Sequence, residues 1–178
     1  MVKFNSQNHK RFPVVWLTGN SGAGKSTLAF GMREYFNEQE NVDSPLARRI
    51  VVLDGDEMRA TVSVDEGFSP EDRRRHNLRM ARLANLLSEH GFCVIVSVIA
   101  PFQKVRDELQ SICDPTWVYI KRSNLEANDR PYEAPEKPTL TIDNDVVSID
   151  EGQEKFKRFL EVLATQKITG ERVEAITA

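Results

Sequence analysis

The chain has 178 residues, 24 Lys plus Arg against 27 Asp plus Glu, and a formal net charge of −3. That length suits one domain with a full core, and the charge gives no overall basic field for nucleic acid. No apolar run approaches a membrane span, and the polar start Met1-Val2-Lys3-Phe4-Asn5-Ser6-Gln7 lacks a signal peptide's apolar region, so the expected setting is cytoplasmic.

Residues 1–12 read as a polar N-terminal arm, 13–166 as the domain and 167–178 as a C-terminal tail. Val14-Val15-Trp16-Leu17-Thr18 is an apolar run of the kind a buried parallel strand shows. Gly19-Asn20-Ser21-Gly22-Ala23-Gly24-Lys25-Ser26-Thr27 follows, and then Leu28, Met32, Tyr35 and Phe36 fall on one helical face. A strand, this glycine-rich turn and a helix are the context of a phosphate-binding loop. Gly19, Gly22 and Gly24 allow backbone conformations that a Cβ would obstruct. The N–H groups of the loop then point inward as an anion nest at the positive end of a helix. Lys25 can reach the β- and γ-phosphates, and the Ser26 hydroxyl is placed to ligate Mg²⁺. The motif predicts binding of a nucleoside triphosphate.

Asn41-Val42-Asp43-Ser44-Pro45 breaks the pattern before a second buried strand, Ile50-Val51-Val52-Leu53. Asp54-Gly55-Asp56-Glu57-Met58-Arg59 follows at that strand's carboxyl end, the same sheet edge as the phosphate loop. Two carboxylates and an arginine there suit phosphoryl transfer to a hydroxyl: a carboxylate can take up the acceptor proton or hold metal water, with Asp54 a candidate Mg²⁺ partner, and an arginine can bind an acceptor's phosphate. Ser69 is a helix N-cap with Pro70 at the first helical position and Asp72 in the first turn. The helix runs to about His90 and stops at Gly91, with Met80, Leu83, Ala84 and Leu87 as its apolar stripe. At 100° per residue, Arg73, His76 and Asn77 continue that face, whereas Arg74, Arg75, Arg79 and Arg82 point elsewhere. Arg73 and Asn77 are therefore expected to line an anionic pocket, the other arginines being mostly surface charge.

Phe92–Ile99 is the most apolar strand, ended by Pro101, and a helix over about 104–112 follows. Trp117–Ile120 is a fourth strand. Residues 124–138 carry Pro131, Pro135 and Pro138 and read as a structured loop. Thr139–Ile142 gives a fifth strand, and a last helix carries Phe156, Phe159, Leu160 and Leu163 on one face. Alternating strands and helices predict an α/β fold with a parallel sheet covered on both sides, ligands sitting beyond the strands' carboxyl ends. Cys93 and Cys113 are expected to be buried free thiols, and His9, His76 and His90 are too scattered for a metal site.

Five ordered motifs carry a resemblance: the glycine loop, Leu-Asp-Gly-Asp-x-x-Arg, Gly-Phe-Ser-Pro-Glu-Asp-Arg, Val-Ile-Ala-Pro-Phe-x-x-x-Arg-Asp and Pro-Tyr-Glu-Ala-Pro-Glu-x-Pro. From about Val14 to Leu163 the chain resembles the adenylylsulfate kinase family. The resemblance implies a P-loop kinase fold with about five strands, often dimeric, that uses ATP and Mg²⁺ to phosphorylate the 3′-hydroxyl of adenylylsulfate. It also implies that Asp56 is the general base or metal-water holder, that Arg59, Arg73 and Asn77 bind the acceptor's anionic group, that Phe68 stacks on its base, and that Ile99 walls the pocket.

The chain departs from the family in three places. The interval Lys121–Arg130 is shorter than the family lid, which usually holds an Asp-Pro-Lys-Gly-Leu-Tyr element and a later Gly-Phe-Thr, so a lid lysine and a second stacking phenylalanine have no counterpart. The Arg73–Asn77 segment holds one residue more than the family spacing. Ala100 stands where the family commonly has serine, which argues against a phosphoserine route there. Two acceptors therefore stay open, adenylylsulfate and the smaller cytidine diphosphoramidate that some relatives phosphorylate at the 3′-hydroxyl. An ATP-dependent switch or binding module is a remote third reading, set back by the absence of an Asn-Lys-x-Asp guanine motif. A sugar kinase is set back by the later motifs.

Overall fold

A computed structural model describes residues 11–38, 43–125 and 131–169. Five strands form one parallel sheet: β1 (Val14–Thr18), β2 (Ile50–Asp54), β3 (Cys93–Ser97), β4 (Thr116–Lys121) and β5 (Leu140–Asp143), in the spatial order β2-β3-β1-β4-β5. The connecting helices are α1 (Lys25–Arg33), α2 (Gly55–Thr61), α3 (Pro70–Glu89), α4 (Gln103–Cys113) and α5 (Ile149–Thr169). A π-helical turn over Glu34–Glu38 continues α1. None of the described helices is long and apolar enough to cross a membrane.

The uninterrupted apolar runs of the strands follow from a sheet buried on both faces. Val15, Leu17, Cys93, Ile95, Val118, Ile120 and Ile142 face one core layer with Leu28, Met32, Phe36, Phe156, Phe159, Leu160 and Leu163 of the α1–α5 side. Val14, Trp16, Val94 and Val96 alternate with them and face Met80, Ala81, Ala84, Val105 and Leu109 of α3 and α4. Fully buried Trp16 satisfies its indole by donating to the Val98 carbonyl at 2.7 Å, which ties β1 to the chain just past β3.

Ser69 caps α3 as its sequence predicts. Its Oγ accepts from the Asp72 N–H while the Asp72 carboxylate accepts from the Ser69 N–H, a reciprocal capping box. Several bounds differ from expectation. Phe92 is exposed and the third strand begins at Cys93 and ends at Ser97. The segment after Asp54, given no element from the sequence, is a helix, α2. Arg11 and Phe12, assigned to the arm, are docked: the Phe12 N–H donates to the Ser88 carbonyl, and the Arg11 guanidinium to the Asn85 side chain and the Cys113 carbonyl. The last helix runs to Thr169, past the predicted boundary at 166. The rest of the arm (1–10), the tail beyond 169 and lid residues 126–130 lie outside the described residues. Cys93 and Cys113 are free and buried, as expected.

Candidate active site

The chain reverses from β1 into α1 over residues 19–24. Gly19 has φ +152°, and a Cβ there would lie 2.2 Å from the Ile120 carbonyl oxygen. That neighbour is backbone of a central strand and cannot step aside. Gly19→Ala is therefore expected to lower unfolding free energy by at least about 2 kcal/mol, read by urea denaturation. At Gly24, φ is +105° and the Asn144 amide nitrogen lies 2.8 Å from where a Cβ would be. That amide, just beyond β5, donates to the Ala23 carbonyl at 2.6 Å and braces the turn from outside.

Within this turn Lys25 is 7 % exposed. Its ammonium donates to the Gly19 carbonyl at 2.8 Å and the Asn20 carbonyl at 2.7 Å. Burial pulls its pKa down to about 8, opposed by the charges of Asp54 and Asp56. Phosphates favour the charged amine, so nucleotide binding below pH 8 meets an ammonium already formed. Above pH 8 binding must take up a proton. The affinity for AMPPNP is expected to weaken by up to tenfold per pH unit above about 8, with proton uptake measurable by calorimetry in buffers of different ionisation enthalpy.

Ser26, the next residue, donates its hydroxyl to Asp54 Oδ2 at 2.6 Å, and its Oγ lies 3.3 Å from Ser97 Oγ at the end of β3. The other Asp54 oxygen, Oδ1, accepts from the Asp56 N–H at 3.1 Å and caps α2. One carboxylate thus joins the phosphate loop to the helix that carries Asp56 and Arg59. Among the described residues no three His, Cys, Asp or Glu side chains gather as a metal cluster. An oxygen set of one hydroxyl and one carboxylate fits Mg²⁺, which keeps several waters and takes its other ligands from phosphates.

The second half of the site is built on α2, the segment 62–69 and the first turns of α3. Phe68 is 69 % exposed. The Arg59 guanidinium lies 4.6 Å and that of Arg73 5.5 Å from its ring centroid. Arg59 also donates to the Gly67 carbonyl at 2.7 Å, and Arg73 to the Phe68 carbonyl at 2.8 Å. Burial and the neighbouring Arg73 charge lower the Arg59 pKa, the electrostatics of a place that favours an anion. Arg75 and Arg79 do more than sit in solvent: both bind the Glu66 carboxylate, at 2.9 and 3.0 Å, and Arg79 also pairs with Asp65. The Glu66 side chain is consequently only 2 % exposed. These bonds hold the segment that presents Phe68 against α3. Arg74 instead joins α3 to α4 through Glu108 at 2.6 Å.

One cleft of about 820 Å³ at the carboxyl edge of the sheet brings these groups together. Asn20, Ser21, Gly22, Gly24, Lys25, Ser26 and Thr27 line one end; Asp54, Asp56, Arg59, Phe68, Arg73, Asn77 and Ile99 line the rest. Gly19 and Ala23, expected in the phosphate-binding set, are buried and do not line it. Gly19 is held beneath Ile120 and Ala23 by Asn144.

Among the further lining residues, three polar side chains had no assigned role. Ser97 could have been found from the rule that binding groups cluster at strand ends. Tyr132 lies in the fifth motif; its hydroxyl bonds Thr18 Oγ1 at 3.0 Å and its ring stacks on Tyr119. His76 falls by helical phase on the face that carries Met80 and Leu87, and nothing in the sequence distinguishes it from core.

This geometry can be set beside known proteins. The adenylylsulphate kinase family model matches residues 11–128. The chain belongs to the adenylylsulphate kinase family. An adenylyl-sulfate kinase of Deinococcus deserti is 33 % identical over 174 residues, covering 85 % of this chain and 92 % of that one. The structure of the Mycobacterium tuberculosis APS kinase CysC in complex with AMPPNP and APS superposes with a TM-score of 0.70 at 27 % identity, covering 85 % of this chain and 98 % of that one. A hexameric APS kinase from Thiobacillus denitrificans gives a TM-score of 0.69 at 28 % identity, covering 92 % of this chain and 30 % of that longer one. Family and fold together make this chain a nucleotide-binding P-loop kinase, and the switch-module reading falls away.

Proposed function

We propose that this protein transfers the γ-phosphoryl group of ATP to the 3′-hydroxyl of adenylylsulfate. The observation that carries the reading is a single cleft with a phosphate loop at one end and an Arg59–Phe68–Arg73 cluster at the other, Asp56 lying among the lining residues. A relative of the same fold is named as a complex with AMPPNP and APS.

The division of labour follows from residue chemistry. The loop N–H groups and Lys25 hold the triphosphate. Arg59 and Arg73 bind the acceptor's anionic end, with Asn77 beside them, while Phe68 stacks on its base and Ile99 walls the pocket. The acceptor hydroxyl gives its proton to Asp56 as its oxygen bonds to the γ-phosphorus, and the bond from that phosphorus to the bridging oxygen of ADP breaks. Ser26 and Asp54 would hold Mg²⁺, which supplies charge neutralisation along the triphosphate. A cytoplasmic, homodimeric enzyme completes the proposal.

The short Lys121–Arg130 interval favours a second acceptor, cytidine diphosphoramidate, whose smaller base needs less aromatic cover. The test is ADP release with ATP·Mg²⁺ and each nucleotide in turn, Lys25→Ala serving as blank. Rapid turnover of adenylylsulfate is expected. Turnover of the cytidine compound alone would replace the acceptor and leave the phosphoryl-transfer chemistry intact, and turnover of neither would remove the proposed reaction.

A further inference from the structure

His76 is 1 % exposed and belongs to the wall of the cleft, yet among the described residues neither of its ring nitrogens has a hydrogen-bond partner. A buried imidazole with both nitrogens unpaired is costly, and native structures rarely carry that cost where nothing answers it. The adjoining Asn77 side-chain oxygen is unpaired as well. Unmatched polarity therefore collects on the stretch of α3 that faces the acceptor end of the cleft.

The surroundings decide what could answer it. Burial, followed by the positive charges of Arg59 and Arg79, pulls the His76 pKa down to about 4. At neutral pH the ring is uncharged, with one N–H donor and one bare nitrogen acceptor. Such a ring is no anion site; it suits a neutral group that both accepts and donates, such as a ribose hydroxyl or the edge of a nucleobase. Arg59, whose charge bears on His76, is occupied with Glu66 and Gly67 carbonyls and the Phe68 ring. Arg59 and His76 line the same cleft and Arg59's charge bears on the imidazole, so an acceptor whose anionic group meets that guanidinium lies beside the His76 ring.

Resting on the acceptor site proposed above, we infer that His76 is a specificity-determining residue that reads the neutral part of the acceptor nucleotide through a paired donor and acceptor. It complements the two arginines, which read charge. His76→Leu keeps the bulk and removes both polar atoms, and His76→Gln restores a donor and an acceptor.

The experiment measures steady-state kinetics with whichever of the two candidate nucleotides the wild-type enzyme turns over, together with the Kd for AMPPNP and the melting temperature. His76→Leu is expected to raise the acceptor KM ten- to a hundredfold. Its AMPPNP affinity should stay within twofold and its melting temperature unchanged or higher, because an unpaired polar group has left the interior. His76→Gln should recover most of the acceptor KM. An unchanged acceptor KM in His76→Leu overturns the inference while leaving the reaction standing. So does a rise matched by equal loss of AMPPNP binding or of stability, since that marks a packing role. Should His76→Leu fail to fold, an acceptor KM in His76→Gln no better than in His76→Ala overturns it equally. Wild-type enzyme inactive with both nucleotides would instead remove the reaction on which the inference rests.

Discussion

Lys25→Ala should lose at least a hundredfold in kcat and keep its fold. The ammonium lies almost wholly inside the phosphate loop, against two carbonyls, in a place where burial already disfavours its charge. Deleting it removes a group the folded state tolerates at some cost, so the melting temperature should hold or rise. What is lost is preorganised positive charge beside the phosphates, and removing one contact of this kind raises a barrier by about 3–4 kcal/mol. Lys25→Arg should not restore turnover, because a planar guanidinium is bulkier than the ammonium and cannot place one compact charge between the Gly19 and Asn20 carbonyls. Near-normal kcat in Lys25→Ala, measured as ADP release with saturating acceptor, would remove the lysine from the mechanism. A fall in melting temperature would show that its two carbonyl bonds outweigh its desolvation.

The parts of the molecule that sequence alone makes legible are those where one physical requirement dominates. β3 must be apolar on both faces because α1 lies over one and α3 over the other, and Cys93–Ser97 reads that way. The phosphate loop is legible because its glycines answer local backbone demands. Helix α2 is hidden for the converse reason. Its seven residues bury none of their number, so no apolar period marks it, and its start is encoded in a single Asp54 carboxylate. Helical phase separates the arginines of α3, and the structure places Arg73 in the cleft lining and Arg74, Arg75 and Arg79 in ion pairs outside it. Their partners were not legible. Glu66 and Glu108 lie 9 and 34 residues from the arginines they meet, Arg75 and Arg74, and pairing at such distances is a product of topology. The same holds for Tyr132, which reaches Thr18 across 114 positions.

Asp56→Ala carries the second large effect, and its interpretation depends on what its neighbour does. Asp54 is bonded to Ser26 through one oxygen and to the Asp56 N–H through the other. Replacing Asp54 therefore disturbs the loop and uncaps α2 together, at a cost in stability of about 1 kcal/mol for the cap alone. The Asp56 side chain is exposed in the cleft and, among the described residues, makes no such bond to the fold. Its removal should leave the melting temperature within about a degree while kcat falls at least a hundredfold, about 2.7 kcal/mol in barrier. Asp56→Asn separates the two roles open to this carboxylate. As an acceptor of the hydroxyl proton it has no substitute, and activity should stay low however much Mg²⁺ is added. As a holder of metal water its loss weakens only the metal's hold, and raising Mg²⁺ should return a large part of kcat. Turnover of Asp56→Asn that is flat against Mg²⁺ thus assigns the proton to Asp56, whereas turnover that climbs with Mg²⁺ moves the carboxylate to the metal and leaves the hydroxyl to lose its proton to the transferring phosphate.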